Sequence, residues 1–151
     1  MKIIAKNKIA YRDYNFDKFH EFGIVLVGHE VKSIKMGQVN IKDAIIRIQD
    51  RELWIKNMDV PLYNKTNPKL VPDYKQKGDR KLLVNKRELA KISAMIDKPG
   101  NVVVPLEVYL NKKGLVKIKA GVGKLMRKVQ KKQILKEKDI KRQMEKDIRN
   151  Y

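Results

Sequence analysis

Short apolar runs broken by glycine, proline and charge fill the first hundred or so residues, which is the rhythm of a β-rich body. Gly23-Ile24-Val25-Leu26-Val27-Gly28 is an apolar run between glycines and predicts a buried strand. Residues 30–35, stopped by Gly37, fit a short helical turn better than a strand. Ile45, Arg47 and Gln49 alternate loosely with Ile46, Ile48 and Asp50, and Leu53-Trp54-Ile55 follows across Gln49-Asp50-Arg51. That predicts a β-hairpin, with the next strand ending near Pro61. Residues 64–79 read as a polar loop carrying Pro68, Pro72 and Gly78. Residues 81–84 predict another strand. Its alternation places Leu82 and Val84 on one face and Leu83 on the other, and Leu83 is taken as the outward one.

Leu89, Ile92 and Ile96 recur on one face of a predicted amphipathic helix over 86–96, which Pro99-Gly100 ends. Residues 102–110 and 115–119 form a last predicted hairpin around Asn111-Lys112-Lys113-Gly114. About six short strands and one good helix fit a mainly β fold, a small oligonucleotide-binding-type (OB-like) barrel, better than an α/β sheet.

Beyond the last strand the pattern changes. Ile140, Met144 and Ile148 are spaced by four, and Glu137–Lys141, Lys141–Glu145 and Glu145–Arg149 are i, i+4 pairs of opposite charge. Such pairs support an isolated helix by ~0.2–0.5 kcal/mol each. The apolar stripe is narrow, so the expectation is a helix weakly formed in the free protein and ordered by a partner. The chain is thus divided into a barrel over residues 1–120 and a basic tail over 121–151, disordered when free.

Charge sharpens this division. The 151 residues hold 36 Lys plus Arg against 17 Asp plus Glu, a net +19. Residues 1–110 contribute 21 basic and 13 acidic side chains; residues 111–151 contribute 15 and 4. No carboxylate occurs between Glu107 and Glu137, an interval with ten cations. Their mutual repulsion falls when phosphates neutralise them, so a nucleic-acid partner is expected; the alternative is a solvated tail that only aids solubility. With no Cys, disulfides and thiolate zinc sites are excluded. No apolar stretch reaches the ~20 residues of a membrane-spanning helix. The first residues are too interrupted for a secretory signal, so the cytoplasm is expected and a membrane partner is not.

Catalytic and cofactor chemistry finds little support. His20 and His29 are the only histidines and stand nine apart, without the spacing of a metal site. Gly121-Val122-Gly123-Lys124 resembles the end of a phosphate loop, but Ile118 and Leu125 stand where that loop needs Gly and Ser or Thr. These glycines are read instead as easing the exit from the last strand, with Lys124 as a phosphate contact. Ser33, Ser93 and Thr66 lack a nucleophile context. The expectation is a binding protein, not an enzyme, with no cofactor or metal.

An RNA-binding surface fits better. Asn7-Lys8-Ile9-Ala10-Tyr11-Arg12-Asp13-Tyr14 interleaves aromatics that can stack on bases with cations that hold phosphates. At least one of the two tyrosines is expected in the core. Lys81, Asn85, Lys86 and Arg87 form a basic edge around Leu82-Leu83-Val84.

The chain closely resembles the small protein B (SmpB) family, the tmRNA-binding proteins of bacterial ribosome rescue. The resemblance covers nearly the whole chain. It rests on the Asn7–Tyr14 block, Glu21-Phe22-Gly23-Ile24-Val25-Leu26 and Gly28-His29-Glu30-Val31-Lys32-Ser33-Ile34. It continues through Val39-Asn40-Ile41-Lys42-Asp43, Arg80-Lys81-Leu82-Leu83-Val84-Asn85-Lys86-Arg87-Glu88-Leu89 and Leu135-Lys136-Glu137-Lys138-Asp139-Ile140-Lys141-Arg142. It implies a protein that binds the tRNA-like domain of tmRNA (SsrA) and promotes its alanylation. With elongation factor Tu, it delivers the RNA to stalled ribosomes. The tail enters the empty mRNA channel and folds there as a helix. The alternative is a ribosome-associated protein that binds ribosomal RNA without tmRNA specificity.

By position, the resemblance implies RNA-facing roles for Asn7, Tyr14, Glu21, Leu83, Asn85 and Lys117; Lys8, Lys81 and Lys124 join them from the charge pattern. On the ribosome, at the small-subunit decoding centre, the implied tail residues are Arg127, Lys128, Val129, Lys131, Lys132 and Lys136. In a gapless extension of the resemblance the tail departs from the family: Leu125-Met126-Arg127 stands for Gly-Lys-Lys, Gln130-Lys131-Lys132 for Asp-Lys-Arg, and Val129 for an aromatic or His, while a register using Gly123-Lys124 needs a gap and ranks second. Arg127, Lys131 and Lys132 keep positive charge in register, whereas Val129 has no ring to stack on a base.

Overall fold

The structure, a computed structural model, describes residues 1–126 and 137–144. Seven antiparallel strands form one sheet in the order β1-β6-β7-β2-β5-β4-β3. They are β1 (Lys2–Lys6), β2 (Tyr14–Ile24), β3 (Ile45–Gln49), β4 (Glu52–Lys56), β5 (Arg80–Leu83), β6 (Asn101–Leu110) and β7 (Val116–Leu125). The far strand β3 comes back against β6, so the sheet curls into a partly open barrel of the OB-like class. Among the described residues 1–126, α1 (Lys8–Asp13), α2 (Gly28–Lys35) and α3 (Lys86–Ile96) are the α-helices that accompany it.

One face of every long strand feeds the core. Phe22 of β2, Ile118, Ala120 and Val122 of β7, Val103 and Val108 of β6, Leu53 and Ile55 of β4 and Leu82 of β5 are all buried, with Ile34 and Ile92 from the helices. Each of these side chains larger than alanine contributes about 1.5–3 kcal/mol of transfer free energy. The β3–β4 hairpin is as expected, and its turn is the two residues Asp50 and Arg51, both at positive φ. That geometry matches the right-handed twist of the flanking strands. Asn85 caps α3 by accepting from the Glu88 amide at 2.7 Å, and Gly100, at φ +81°, turns the chain into β6.

Several expectations are corrected. The buried strand placed at 23–28 is not formed: Val25 and Val27 are exposed and Gly28 opens α2, while Gly23 and Ile24 end an eleven-residue strand that begins at Tyr14. Its first half alternates too little to be read from periodicity, because a bulge between Phe16 and Lys18 breaks the pattern. Only a single bridge, Asn40 to Asp59, forms near Pro61, where a strand was expected. The last strand runs on through Gly121 and Gly123 to Leu125, beyond the boundary drawn at residue 120. Those glycines do not ease an exit. A Cβ at 121 would stand 2.6 Å from Phe16 Cδ1, and one at 123 would fall on the Asn15 carbonyl oxygen. They are small because β2 crosses them closely.

A polar network ties the loop at 57–79 to the barrel. Arg80 Nε donates to Glu30 Oε2 at 2.6 Å, both side chains being over nine-tenths buried. Its other N–H groups donate to the carbonyls of Met58, Gly78 and Gln76 and to the Tyr74 hydroxyl. Tyr74 in turn donates to the Val60 carbonyl at 2.6 Å. Glu30 Oε1 also accepts from the Val27 amide at the start of α2. The Glu30–Ile34 and Arg80–Leu83 blocks, far apart in the chain, are therefore joined by a buried ion pair.

Residues 137–144 are helical and exposed, including Ile140 and Met144. Arg127, Lys128, Val129, Lys131, Lys132 and Lys136 lie outside the described residues, as do Glu145, Ile148 and Arg149.

Candidate nucleic-acid interface

The outer face of strands β6, β7, β2 and β5 is set by register. Strand pairing aligns Tyr109 with Lys117, Lys117 with Gly23, and Gly23 with Leu83. The neighbouring row aligns Glu107 with Lys119 and Lys119 with Glu21. Paired residues share a face, so Leu83, Lys117, Glu21 and Lys119 converge although their sequence positions span almost a hundred residues. Leu83 is 54% exposed and Leu82 is 1% exposed, the orientation predicted by alternation. Lys81 lies two residues along the same face of β5, its ammonium 2.9 Å from Glu52.

An aromatic cluster continues this face toward α1. Tyr14 stacks on Phe16 at 5.8 Å, Tyr11 meets Phe16 edge-on at 6.4 Å, and Phe19 lies 5.9 Å from it. The bare backbone at Gly121 and Gly123 lets Phe16 lie against β7. Lys6 and Lys119 place their ammonium groups over the Tyr11 and Phe19 rings at 5.0 and 4.9 Å.

Tyrosine hydroxyls meet carboxylates here. Tyr11 donates to Glu107 Oε1 at 3.1 Å, and burial together with that carboxylate raises its pKa. Tyr109 is pushed up to about 12, first by burial and then by its hydrogen bond to Glu21 and the charges of Glu21 and Glu107. The centre of the face thus carries one exposed carboxylate, Glu21, beside Lys117 and Lys119, while Glu107 is buried and engaged by Tyr11. An exposed carboxylate in such a setting can accept from base or ribose donors, while exposed cations suit phosphates.

The remaining predicted residues are dispersed. Lys8 is exposed at the start of α1. Lys124 is exposed near the end of β7, and Asn85 is exposed just beyond Leu83. Tyr14 is half-buried in the aromatic cluster. Asn7 is corrected: its side chain is 5% exposed and faces inward. Its Oδ1 accepts from the Ala10 amide, and its Nδ2 donates to the Pro105 carbonyl at 3.3 Å and the Ile41 carbonyl at 3.5 Å. It fixes the start of α1, because short polar side chains before a helix are drawn to its free N–H groups. The structure adds Lys119, Tyr109, Glu107 and Phe19 as neighbours that the sequence reading did not name. The spacing by two in Lys117–Lys119 and Glu107–Tyr109 puts each pair on one strand face, but only register shows that the faces coincide.

A curled antiparallel barrel with cations and aromatics on one outer face defines a nucleic-acid-binding module of the OB-like class. The comparisons with known proteins narrow this. The family model described as SmpB protein matches residues 4–150, and the chain belongs to that family. The SsrA-binding protein of Coprothermobacter proteolyticus is 41% identical over 147 residues, covering 97% of each chain. That of Persephonella marina is 42% identical over 146 residues, covering 97% of this chain and 93% of its own. A solved chain from "tmRNA-SmpB: a journey to the center of the bacterial ribosome" superposes with a TM-score of 0.66 at 30% identity. It covers 87% of this chain and 93% of its own length.

Proposed function

We propose that this protein binds the tRNA-like domain of tmRNA and acts with it in trans-translation, the rescue of stalled ribosomes. The observation that carries the reading is the outer face on which Glu21, Leu83 and Lys117 converge beside four aromatic rings. Relatives named for SsrA binding match over nearly the full chain and supply the identity of the RNA. Glu21 sets specificity: a carboxylate facing a polyanion must accept hydrogen bonds from base or ribose donors, since otherwise it only repels. The barrel therefore selects the RNA, and the cationic residues 127–151 supply the tail that occupies the vacant mRNA channel near the decoding centre. Elongation factor Tu enters through the alanylated RNA, and the site of action is the cytoplasm.

Sequencing the RNA retained by the full chain and by a chain ending at Met126 tests the proposal. tmRNA is expected to be enriched by both, with ribosome rescue lost in the shorter one. Glu21→Lys is expected to weaken tmRNA binding despite its added positive charge. Enrichment of ribosomal RNA without tmRNA would replace this reading with that of a ribosome-associated structural protein.

A further inference from the structure

Lys119 lies directly between two carboxylates in the sheet, Glu21 on one side and Glu107 on the other. Side chains paired in this way are close enough for an ion pair. Among the described residues, however, no ion pair joins Lys119 to either one. Its ammonium stands over the ring of Phe19 at 4.9 Å. Phe19 is 49% exposed and belongs to the same strand as Glu21, two residues before it. Phe19 lies outside the buried core and meets only Phe16 among the described aromatic rings, at 5.9 Å. Glu107, the other carboxylate, is buried and already accepts from Tyr11.

We infer that Phe19 is a positioning residue for RNA specificity: by holding the Lys119 ammonium over its ring, it keeps the Glu21 carboxylate open to N–H and O–H donors of an unpaired nucleotide. Without the ring, Lys119 swings onto Glu21 and caps it. The exposed acceptor is then lost although neither Glu21 nor any cation has been removed. A carboxylate has about four lone-pair sites, so an uncapped Glu21 has acceptors to offer the RNA. The inference rests on the tmRNA-binding reading for its ligand and on the free protein for its geometry.

The test uses the full chain and measures affinity for a transcript of the tmRNA tRNA-like domain and for bulk tRNA at one fixed salt concentration. Phe19→Leu is expected to lower the ratio of the two affinities about tenfold, the loss of one charge-assisted hydrogen bond. Glu21→Gln is expected to lower it to a similar extent. Phe19→Tyr, which keeps the ring, retains the ratio. The deciding variant is Phe19→Leu combined with Lys119→Met. With Lys119 no longer able to cap Glu21, the ratio returns to that of Lys119→Met alone.

If Phe19→Leu lowers the ratio and Lys119→Met fails to restore it, Phe19 touches the RNA itself and the inference falls. It also falls if Phe19→Leu leaves the ratio unchanged. A crystal structure of the RNA-free Phe19→Leu protein gives an independent readout: Lys119 Nζ within 4 Å of a Glu21 oxygen supports the inference, and a wider separation overturns it. Absence of any preference in the unsubstituted protein would instead overturn the tmRNA reading, leaving the crystallographic result to judge the Lys119 geometry.

Discussion

Replacing Arg80 with methionine is expected to loosen the whole loop at 57–79. Arg80 spends all five of its N–H donors inside the protein, on Glu30, three backbone carbonyls and Tyr74. Methionine fills a similar volume but leaves the Glu30 carboxylate, 8% exposed, without its counter-ion. Breaking a buried pair from one side costs about 3–5 kcal/mol, because the remaining charge stays desolvated. With a urea dependence of about 2 kcal/mol per molar, the unfolding midpoint should fall by roughly 1.5–2.5 M. Trp54, the single tryptophan, lies half-buried on β4 and reports unfolding by fluorescence. Adding Glu30→Gln to Arg80→Met should cost less than the sum of the two single changes, since the second removes the stranded charge. A midpoint shift below about 0.5 M for Arg80→Met would refute the argument and mean that water reaches Glu30 freely.

Three further outcomes are expected. Gly123→Ala places a methyl on the Asn15 carbonyl of the paired strand, so it should cost about 3 kcal/mol, the upper end for overpacking. In thermal melts that is a fall of about 6–12 °C for a domain of this size. Tyr109 is protonated up to about pH 12 in the folded chain but only to about pH 10 when unfolded. Above pH 10 the unfolded state binds fewer protons, so its stabilising contribution is full below pH 10 and is lost as pH rises toward 12. Melts from pH 9 to 12 should show a shallower decline for Tyr109→Phe; an unchanged slope would count against a perturbed hydroxyl. Removing residues 127–151 takes away ten cations and four carboxylates. The logarithm of RNA affinity should then depend less steeply on the logarithm of salt concentration, while the preference for tmRNA persists. An equal slope would mean that those cations do not meet phosphate.

Much of the barrel was legible because its periods are simple. The helix at Lys86–Ile96, the Asp50-Arg51 hairpin and the outward Leu83 all follow from local patterns that packing then reinforces. The first half of β2 was not legible, because a bulge moves Phe16 and Phe19 onto one side and destroys the alternation that marks a strand. Asn7 misled for a related reason: a polar residue before a helix can serve a ligand or the helix itself, and the backbone N–H groups are nearer.

Taken by itself, the amino-acid sequence determined the β-rich class, the basic chain end and the residue blocks that tie this protein to its family. Each of these resides in composition or short-range order. Only the folded chain decided which of its many lysines share a surface with Glu21, and that Glu30 and Arg80 neutralise one another. Both depend on strand register and burial. Those are settled by how distant segments fill a common core, and no local window contains that information.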